Sequence, residues 1–141
     1  MIYKPDHFII QELVSEKTYL KYGPEKSWWF TQVNMLRFID MVKKRYSPKR
    51  AVYINTWLFG GDRNWSGNRT PDSDWYSPMS QHTFNNAYDM IFQSITAEEI
   101  RVDLKENWGK LCCQDFPITV EKEVSWVHCD GRQQDLMFNE F

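Results

Sequence analysis

Residues 80–92 read Ser-Gln-His-Thr-Phe-Asn-Asn-Ala-Tyr-Asp-Met-Ile-Phe and join a histidine-containing loop to a predicted β-strand that begins at Ala87. Alternate side chains of a strand share a face, so Asp89 points away from the side taken by Tyr88 and Met90. His82 precedes the strand, in a loop that can fold back beside Asp89. The stretch therefore brings an imidazole and a carboxylate within reach of each other.

A second polar stretch, Ser-Trp-Val-His-Cys-Asp at residues 125–130, falls in a predicted strand over 123–130. Trp126, His128 and Asp130 share one face of that strand, and Cys129 points into the packing layer on the other. If the two strands are neighbours, His82, Asp89 and His128 converge. Two imidazoles and a carboxylate make a three-ligand zinc site with a fourth position open for water.

Less specific interpretations of the same residues stay open. A histidine followed by an aspartate seven residues later is common by chance, and a strand histidine is often a hydrogen-bonded core residue. Asp130 is either an acceptor for a metal-binding imidazole or a residue that ends a strand. His7 has no partner nearby in the sequence and is interpreted as a surface or core residue.

Length and charge restrict the class of protein. A chain of 141 residues predicts one domain, residues 1–141, with a substantial core. The net charge of -2 gives no electrostatic signature for nucleic acid. The apolar run 8–10 is too short to span a membrane, and Met1 is not followed by a secretory leader pattern. We therefore expect synthesis in the cytoplasm, with neither nucleic acid nor membrane as a partner.

The pattern of the remaining chain predicts an α+β fold with a small antiparallel sheet and flanking helices. A helix is expected over 28–46, with Ser27 as N-cap, and another begins at a Thr96–Glu99 capping box and ends near Trp108. A strand is expected over 51–57. The amino-terminal region offers only one short helical face, and the tail after 130 is expected to be irregular or a turn of helix.

Aromatic residues and cysteines give two further expectations. The loop over 60–78 is long enough to be functional, and a cluster of aromatic side chains in and around it suggests a cleft: Trp57, Phe59, Trp65, Trp75 and Tyr76. Three cysteines, of which Cys112 and Cys113 are adjacent, do not form a disulfide pattern. A reducing compartment with buried or idle thiols is expected.

Three blocks, taken together and in order, resemble the M15 family of zinc peptidases. They are Ser-Gly-Asn-Arg-Thr-Pro at 66–71, Ser80-x-His82-x-x-Asn85-x-Ala87-x-Asp89, and Trp126-Val127-His128-x-Asp130. The family comprises D-Ala-D-Ala carboxypeptidases and phage peptidoglycan endopeptidases that share the hedgehog/DD-peptidase fold. The blocks span about half of the chain, and the approach to Arg69 resembles small phage-encoded members.

The resemblance implies a fold, a metal and a substrate. His82, Asp89 and His128 would bind zinc, which acidifies water to a pKa of about 7 and polarises a scissile carbonyl. Arg69 would contact the substrate carboxylate or the developing oxyanion, because its fork is bidentate. Ser80 would support the metal ligands. The implied partners are peptidoglycan peptides or D-Ala-D-Ala-like substrates, with release at lysis or carriage in a virion beside other virion proteins.

Two positions depart from the family pattern. Asn85 stands where the family has glycine, a small change because asparagine tolerates positive φ. Ser125 stands where many members carry the glutamate or aspartate that acts as general base. Glu123 is the expected substitute, although a regular strand would turn it away from His128. Asp130 or a residue from elsewhere is the alternative. Glu121 also lies just upstream.

Three functional hypotheses follow. The first is a zinc carboxypeptidase or endopeptidase that acts on peptidoglycan peptide stems. The second is a weak or inactive zinc-containing module that binds peptidoglycan or belongs to a virion tail, because loss of the general base costs about 10² to 10⁴ in rate. The third is a metal-free α+β domain whose aromatic loop binds a protein partner.

Overall fold

The structure is a computed structural model that describes residues 2–111 and 115–141. Within those ranges the chain is α+β, with three α-helices and one five-stranded sheet. The helices are α1 (Glu16–Lys26), α2 (Val33–Tyr46) and α3 (Ala97–Asn107). The strands are β1 (Val52–Tyr53), β2 (Ala87–Phe92), β3 (Ile118–Val120), β4 (Val127–Asp130) and β5 (Phe138–Glu140).

The sheet has the strand order β1-β2-β4-β3-β5 and is mixed. Three of its pairings are antiparallel, but β5 runs parallel to β3. The expected antiparallel sheet is thus confirmed for β1 to β4 but not for β5, and the tail, expected to be irregular or helical, ends in a strand. The carboxyl-terminal segment adds its strand at the edge, and its backbone groups are paired there by β3.

The helices differ from the prediction at their starts. Residues 27–30 form a separate 3₁₀ turn, and α2 begins only at Val33. The Ser27 hydroxyl donates to the Gly23 carbonyl at 2.7 Å instead of capping a helix. The unpredicted α1 is capped by Ser15, which accepts from the Thr18 amide, and it is kinked at Gly23, where φ is 75°.

The capping box at the start of α3 is confirmed, because Thr96 and Glu99 exchange side-chain to backbone hydrogen bonds. Of the three predicted strands, the first and the last were too long. The segment over 51–57 pairs only at Val52–Tyr53. The segment over 123–126 is bent, and Arg101 from α3 donates to the carbonyls of Val124 and Trp126 at 3.2 Å each.

One face of the sheet lies in the hydrophobic core. Tyr88, Met90, Val127 and Cys129 are buried there together with the apolar stripe of α2, namely Met35, Phe38, Ile39 and Val42. The predicted stripe and the inward direction of Cys129 are confirmed, whereas Cys112 and Cys113 lie outside the described residues. No helix within the described ranges is long and apolar enough to cross a bilayer. The other face of β2 and β4 carries the polar side chains.

Candidate metal centre

The pairing of β2 with β4 sets Asp89 directly opposite His128. The prediction that these two strands are neighbours is thus confirmed. Directly opposite residues of an antiparallel pair lie on the same face with their Cβ atoms about 5 Å apart. The register alone therefore brings one carboxylate and one imidazole together on the polar face of the sheet.

His82 reaches the same place from the loop before β2. Its carbonyl accepts hydrogen bonds from the amides of Arg69 and Asn85, both at 3.2 Å. Asn85 has a φ of 57°, so the turn takes a left-handed conformation, which asparagine tolerates. The Nδ1 of His82 lies 2.8 Å from the carbonyl oxygen of Gly67, to which it donates. That contact leaves Nε2 facing the strand pair.

The three predicted ligands form a compact triangle. Asp89 Oδ1 lies 2.7 Å from His128 Nδ1 and 3.3 Å from His82 Nε2, and the two ring nitrogens are 3.3 Å apart. The residues are 5%, 8% and 2% exposed, respectively. Histidine, cysteine, aspartate and glutamate side chains form no other group of this kind within the described ranges.

The outer atoms of the triangle are held by further hydrogen bonds. His128 Nε2 lies 3.1 Å from Asp130 Oδ2, and Asp130 is fully buried. Arg132 in turn donates to both oxygens of Asp130, at 2.8 Å from Nε and 2.6 Å from Nη2. On the other side, Arg69 Nη2 donates to Asp89 Oδ2 at 2.8 Å. These contacts fix which atom each ligand presents.

The electrostatics follow from these contacts. Burial lowers the pKa of His128, but the hydrogen bonds to Asp130 and Asp89 outweigh it and raise the pKa to about 9. Burial raises the pKa of Asp89, yet the hydrogen bonds from His128 and His82 hold the pKa of that carboxyl well below its usual range. His128 Nδ1 and Asp89 Oδ1 would bind a metal ion only in their deprotonated forms.

The donor set fits a zinc ion. Ligand atoms of tetrahedral zinc lie about 3.3 Å apart when each is about 2 Å from the metal. Two edges of the triangle already have that length, and the shorter edge joins His128 Nδ1 to Asp89 Oδ1. In each imidazole the N–H of the second nitrogen can donate to an oxygen, Gly67 O for His82 and Asp130 Oδ2 for His128. This arrangement orients histidine ligands in metal sites. His82, Asp89 and His128 could hold the ion, and a fourth position would face the cavity beside them.

A cavity of about 300 Å³ opens over the triangle. Arg69 and Ser80 line it. The Ser80 hydroxyl accepts from the amide of His82 at 3.3 Å, so it stabilises the histidine turn. His7 lies elsewhere and is hydrogen-bonded to Asp40 at 3.0 Å.

The expected general base does not line this cavity. Glu123 is exposed, has a φ of 62°, and lies in the bent segment before β4. Ser125 lines a different cavity together with Phe92 and Arg101. The bend and the hydrogen bonds from Arg101 turn these residues away from the triangle.

Glu121 does line the cavity. The β3–β4 register pairs Thr119 with Asp130 and Val120 with Cys129, and its next step sets residue 121 opposite His128. The Glu121 amide accordingly donates to the His128 carbonyl at 3.3 Å. Glu121, one residue past the end of β3, thus continues the row that Asp89 on β2 and His128 on β4 form. The sequence signal was a carboxylate a few residues upstream, but only the register distinguishes Glu121 from Glu123.

Comparison with protein-family models, with curated proteins and with solved structures found no match for this chain. The class that the fold and the site define is an α+β protein with a buried His-Asp-His group able to hold a metal ion.

Proposed function

We propose that this protein is a zinc-dependent peptidase of the hedgehog/DD-peptidase type that hydrolyses peptide stems of peptidoglycan. The observation that carries the proposal is the buried triangle of His82, Asp89 and His128 at the floor of an open cavity. Structural zinc sites are closed by four protein ligands, whereas catalytic sites keep one position for water or substrate. The substrate class rests on the resemblance of the three sequence blocks.

A bound zinc ion would polarise the scissile carbonyl and acidify a water molecule. The residues around it supply the remaining functions of a peptidase. Arg69 fixes Asp89 through its Oδ2, so that Oδ1 faces the two imidazoles. Asp130 fixes the ring of His128 in the same way. Both contacts hold the ligands in one geometry before substrate arrives, which lowers the cost of reaching the transition state.

Glu121 is the carboxylate best positioned to move a proton. It lies in the cavity, beside His128, and is not one of the three candidate ligands. A carboxylate outside the metal ligands accepts the proton of the attacking water and returns it to the leaving amine. We therefore assign to Glu121 the role that Glu123 had in the interpretation of the sequence.

Metal content and hydrolysis test the proposal together. We expect purified protein to contain about one zinc ion per chain and His82→Ala to lose it, because two remaining ligands bind zinc weakly. Zinc-loaded protein should release peptide fragments from purified peptidoglycan, and a chelator should abolish the release. Zinc is measured by mass spectrometry and fragments by chromatography.

The His7→Ala variant is the matched control, because His7 lies outside the site and should leave both zinc and hydrolysis unchanged. Protein without stoichiometric zinc would contradict both metal hypotheses. Zinc-loaded protein that binds peptidoglycan without cutting it would instead favour the binding module.

A further inference from the structure

A second cavity adjoins the candidate metal centre. It has a volume of about 460 Å³ and shares Arg69, Asp89 and Trp126 with the first cavity. The rest of its lining comes from the long loop over 60–78, through residues 62–66 and Trp75. This is the loop for which the sequence predicts an aromatic cleft, and the hydrolysis proposed above gives the cavity no role.

The apolar side chains in the lining of the second cavity are three tryptophans, Trp65, Trp75 and Trp126. Trp75 is 75% exposed, so its ring is available to a ligand. Trp57, which the sequence also assigns to the cleft, is instead bound to the amino-terminal segment, because its indole N–H donates to the Val14 carbonyl at 3.0 Å. The cavity therefore offers aromatic surface from the loop and from the approach to β4.

The polar side chains between the tryptophans keep unused hydrogen-bonding groups of both kinds. Ser66 is only 6% exposed, yet its hydroxyl makes no hydrogen bond within residues 2–111 and 115–141. The Asp62 carboxylate accepts none in the same ranges. Asn64 uses its side-chain oxygen for the Glu16 amide, at 2.7 Å, and its NH₂ group has no acceptor in the described part of the chain. A ligand can thus find both donors and acceptors here.

The charges that line the second cavity balance. Two arginines, Arg63 and Arg69, stand against two aspartates, Asp62 and Asp89. Both arginines already donate to protein oxygens: Arg63 to the carbonyls of Ile54 and Asp89, at 3.0 and 3.2 Å, and Arg69 to Asp89 Oδ2 at 2.8 Å. Neither an anion nor a cation is favoured by such a lining, which suits an uncharged ligand.

From this combination we infer that the second cavity binds an uncharged N-acetylated sugar of the glycan strand, so that the protein acts on stems still joined to glycan. A pyranose ring has an apolar face of C–H groups and a rim of hydroxyls that both donate and accept, which matches tryptophans beside free polar groups. An apolar side chain in the same place would leave Ser66 and Asp62 unpaired, at a cost in free energy. The identity of the sugar rests on the proposed function, because peptidoglycan stems are attached to such sugars.

A sugar without any peptide tests the site directly. Calorimetry of zinc-loaded protein with the tetrasaccharide of N-acetylglucosamine should give saturable binding. Trp75→Ala should weaken that binding by about fivefold or more, because an exposed ring that contacts the ligand is lost without disturbing the core. Trp29→Ala is the matched control, since Trp29 is 64% exposed but lines neither cavity. Absence of saturable binding, or equal effects of the two substitutions, would overturn the inference.

Kinetics then test whether sugar and stem bind together. Zinc-loaded protein should cleave a stem peptide joined to its disaccharide with a kcat/KM about tenfold or more above that of the same peptide alone. Trp75→Ala should reduce this ratio to about threefold or less, and Trp29→Ala should preserve it. A ratio near one in the wild-type protein would contradict a sugar site that adjoins the metal centre.

The two measurements separate this inference from the proposed function. Tetrasaccharide binding that depends on Trp75, by a protein that cuts neither substrate, would support the sugar site and contradict the peptidase. Equal cleavage of both substrates without tetrasaccharide binding would support the peptidase and overturn the sugar site.

Discussion

At the scale of single residues, the site depends on which atom each side chain presents. His82 faces the cluster with Nε2 because Gly67 accepts from its Nδ1, whereas His128 faces it with Nδ1 because Asp130 holds its Nε2. The two imidazoles therefore use different nitrogens. In each ring, the hydrogen bond to the nitrogen that faces away from the cluster determines which nitrogen is left to bind a metal. Metal affinity commonly falls about 10- to 100-fold when such a hydrogen-bond partner is removed.

The role of Glu121 can be tested by a conservative substitution. Glu121→Gln keeps the size of the side chain but removes the carboxylate that accepts a proton. We expect kcat on peptidoglycan peptides to fall about 10²- to 10⁴-fold, with zinc content unchanged. Steady-state kinetics and metal analysis on the same preparation measure both quantities.

Glu123→Gln is the matched control for that experiment. Glu123 is exposed and lies outside the cavity, so its replacement should leave kcat and zinc content unchanged. A loss of activity in Glu123→Gln with full activity in Glu121→Gln would reverse the assignment.

At the scale of elements, the loop before β2 is hydrogen-bonded both to the sheet and to Leu13, which follows a short 3₁₀ turn at Ile10–Glu12. The Asp89 amide donates to the Ser66 carbonyl at 2.7 Å, and the Asn68 amide donates to the Leu13 carbonyl at 3.3 Å. Gly67 lies between them, and a Cβ there would be 2.0 Å from the Leu13 oxygen. Only glycine therefore allows the loop to approach Leu13 this closely. The same approach fixes the position of the Gly67 carbonyl, which orients His82.

Gly67→Ala should therefore affect both stability and metal binding. The methyl group must push the loop away from Leu13, which costs about 1 to 3 kcal/mol of unfolding free energy, as overpacking does. The shift also moves the Gly67 carbonyl, so zinc affinity should fall about tenfold or more. Urea denaturation and a competitive zinc chelator measure the two effects.

Gly109→Ala serves as the control, because a Cβ at Gly109 would meet no atom within 4 Å and its φ is not positive. Unchanged zinc affinity in Gly67→Ala would show that the Gly67 carbonyl does not position His82.

At the scale of the whole molecule, α2 and α3 are joined by an ionic cluster remote from the site. Arg45 donates two hydrogen bonds of 2.8 Å to Asp103, which also accepts from the hydroxyl of Tyr46 and from Asn107. The hydrogen bonds from Arg45 contribute most to holding the pKa of Asp103 below its usual value of 3.8. The cluster connects the carboxyl-terminal half of α2 to the middle of α3.

A lowered folded-state pKa means that the ionised form stabilises the fold. The contribution of Asp103 is complete above its unfolded pKa near 3.8 and is lost as the pH falls through the lower, folded value. We expect Asp103→Asn to reduce the unfolding free energy at pH 7 by less than about 1 kcal/mol, because the side chain is partly exposed and screened. The difference from wild type should shrink below about pH 4.

Urea denaturation between acidic and neutral pH measures this dependence. Asp135→Asn is the control, because Asp135 is exposed and forms no ion pair within the described ranges. A difference between Asp103→Asn and wild type that stayed constant down to the lowest pH would contradict the electrostatic explanation.

Local patterns predicted much of the fold because their causes are local. The α3 capping box, the apolar stripe of α2 and β2 follow from side-chain spacing and propensity. The start of α2 was missed because Trp28 is buried in a separate 3₁₀ turn. β5 was missed because its pairing with β3 is parallel and joins segments distant in the sequence.

The sequence by itself determined the three candidate ligands and the two strands that carry two of them, because side-chain direction alternates along any strand. Only the tertiary structure decided that Glu121 and not Glu123 faces the cavity, since the bend before β4 and the register with β3 are long-range properties. The tertiary structure also decided that Arg69 and Arg132 are bonded to protein oxygens. Hydrogen-bond partners from separate segments have no signature in the order of residues.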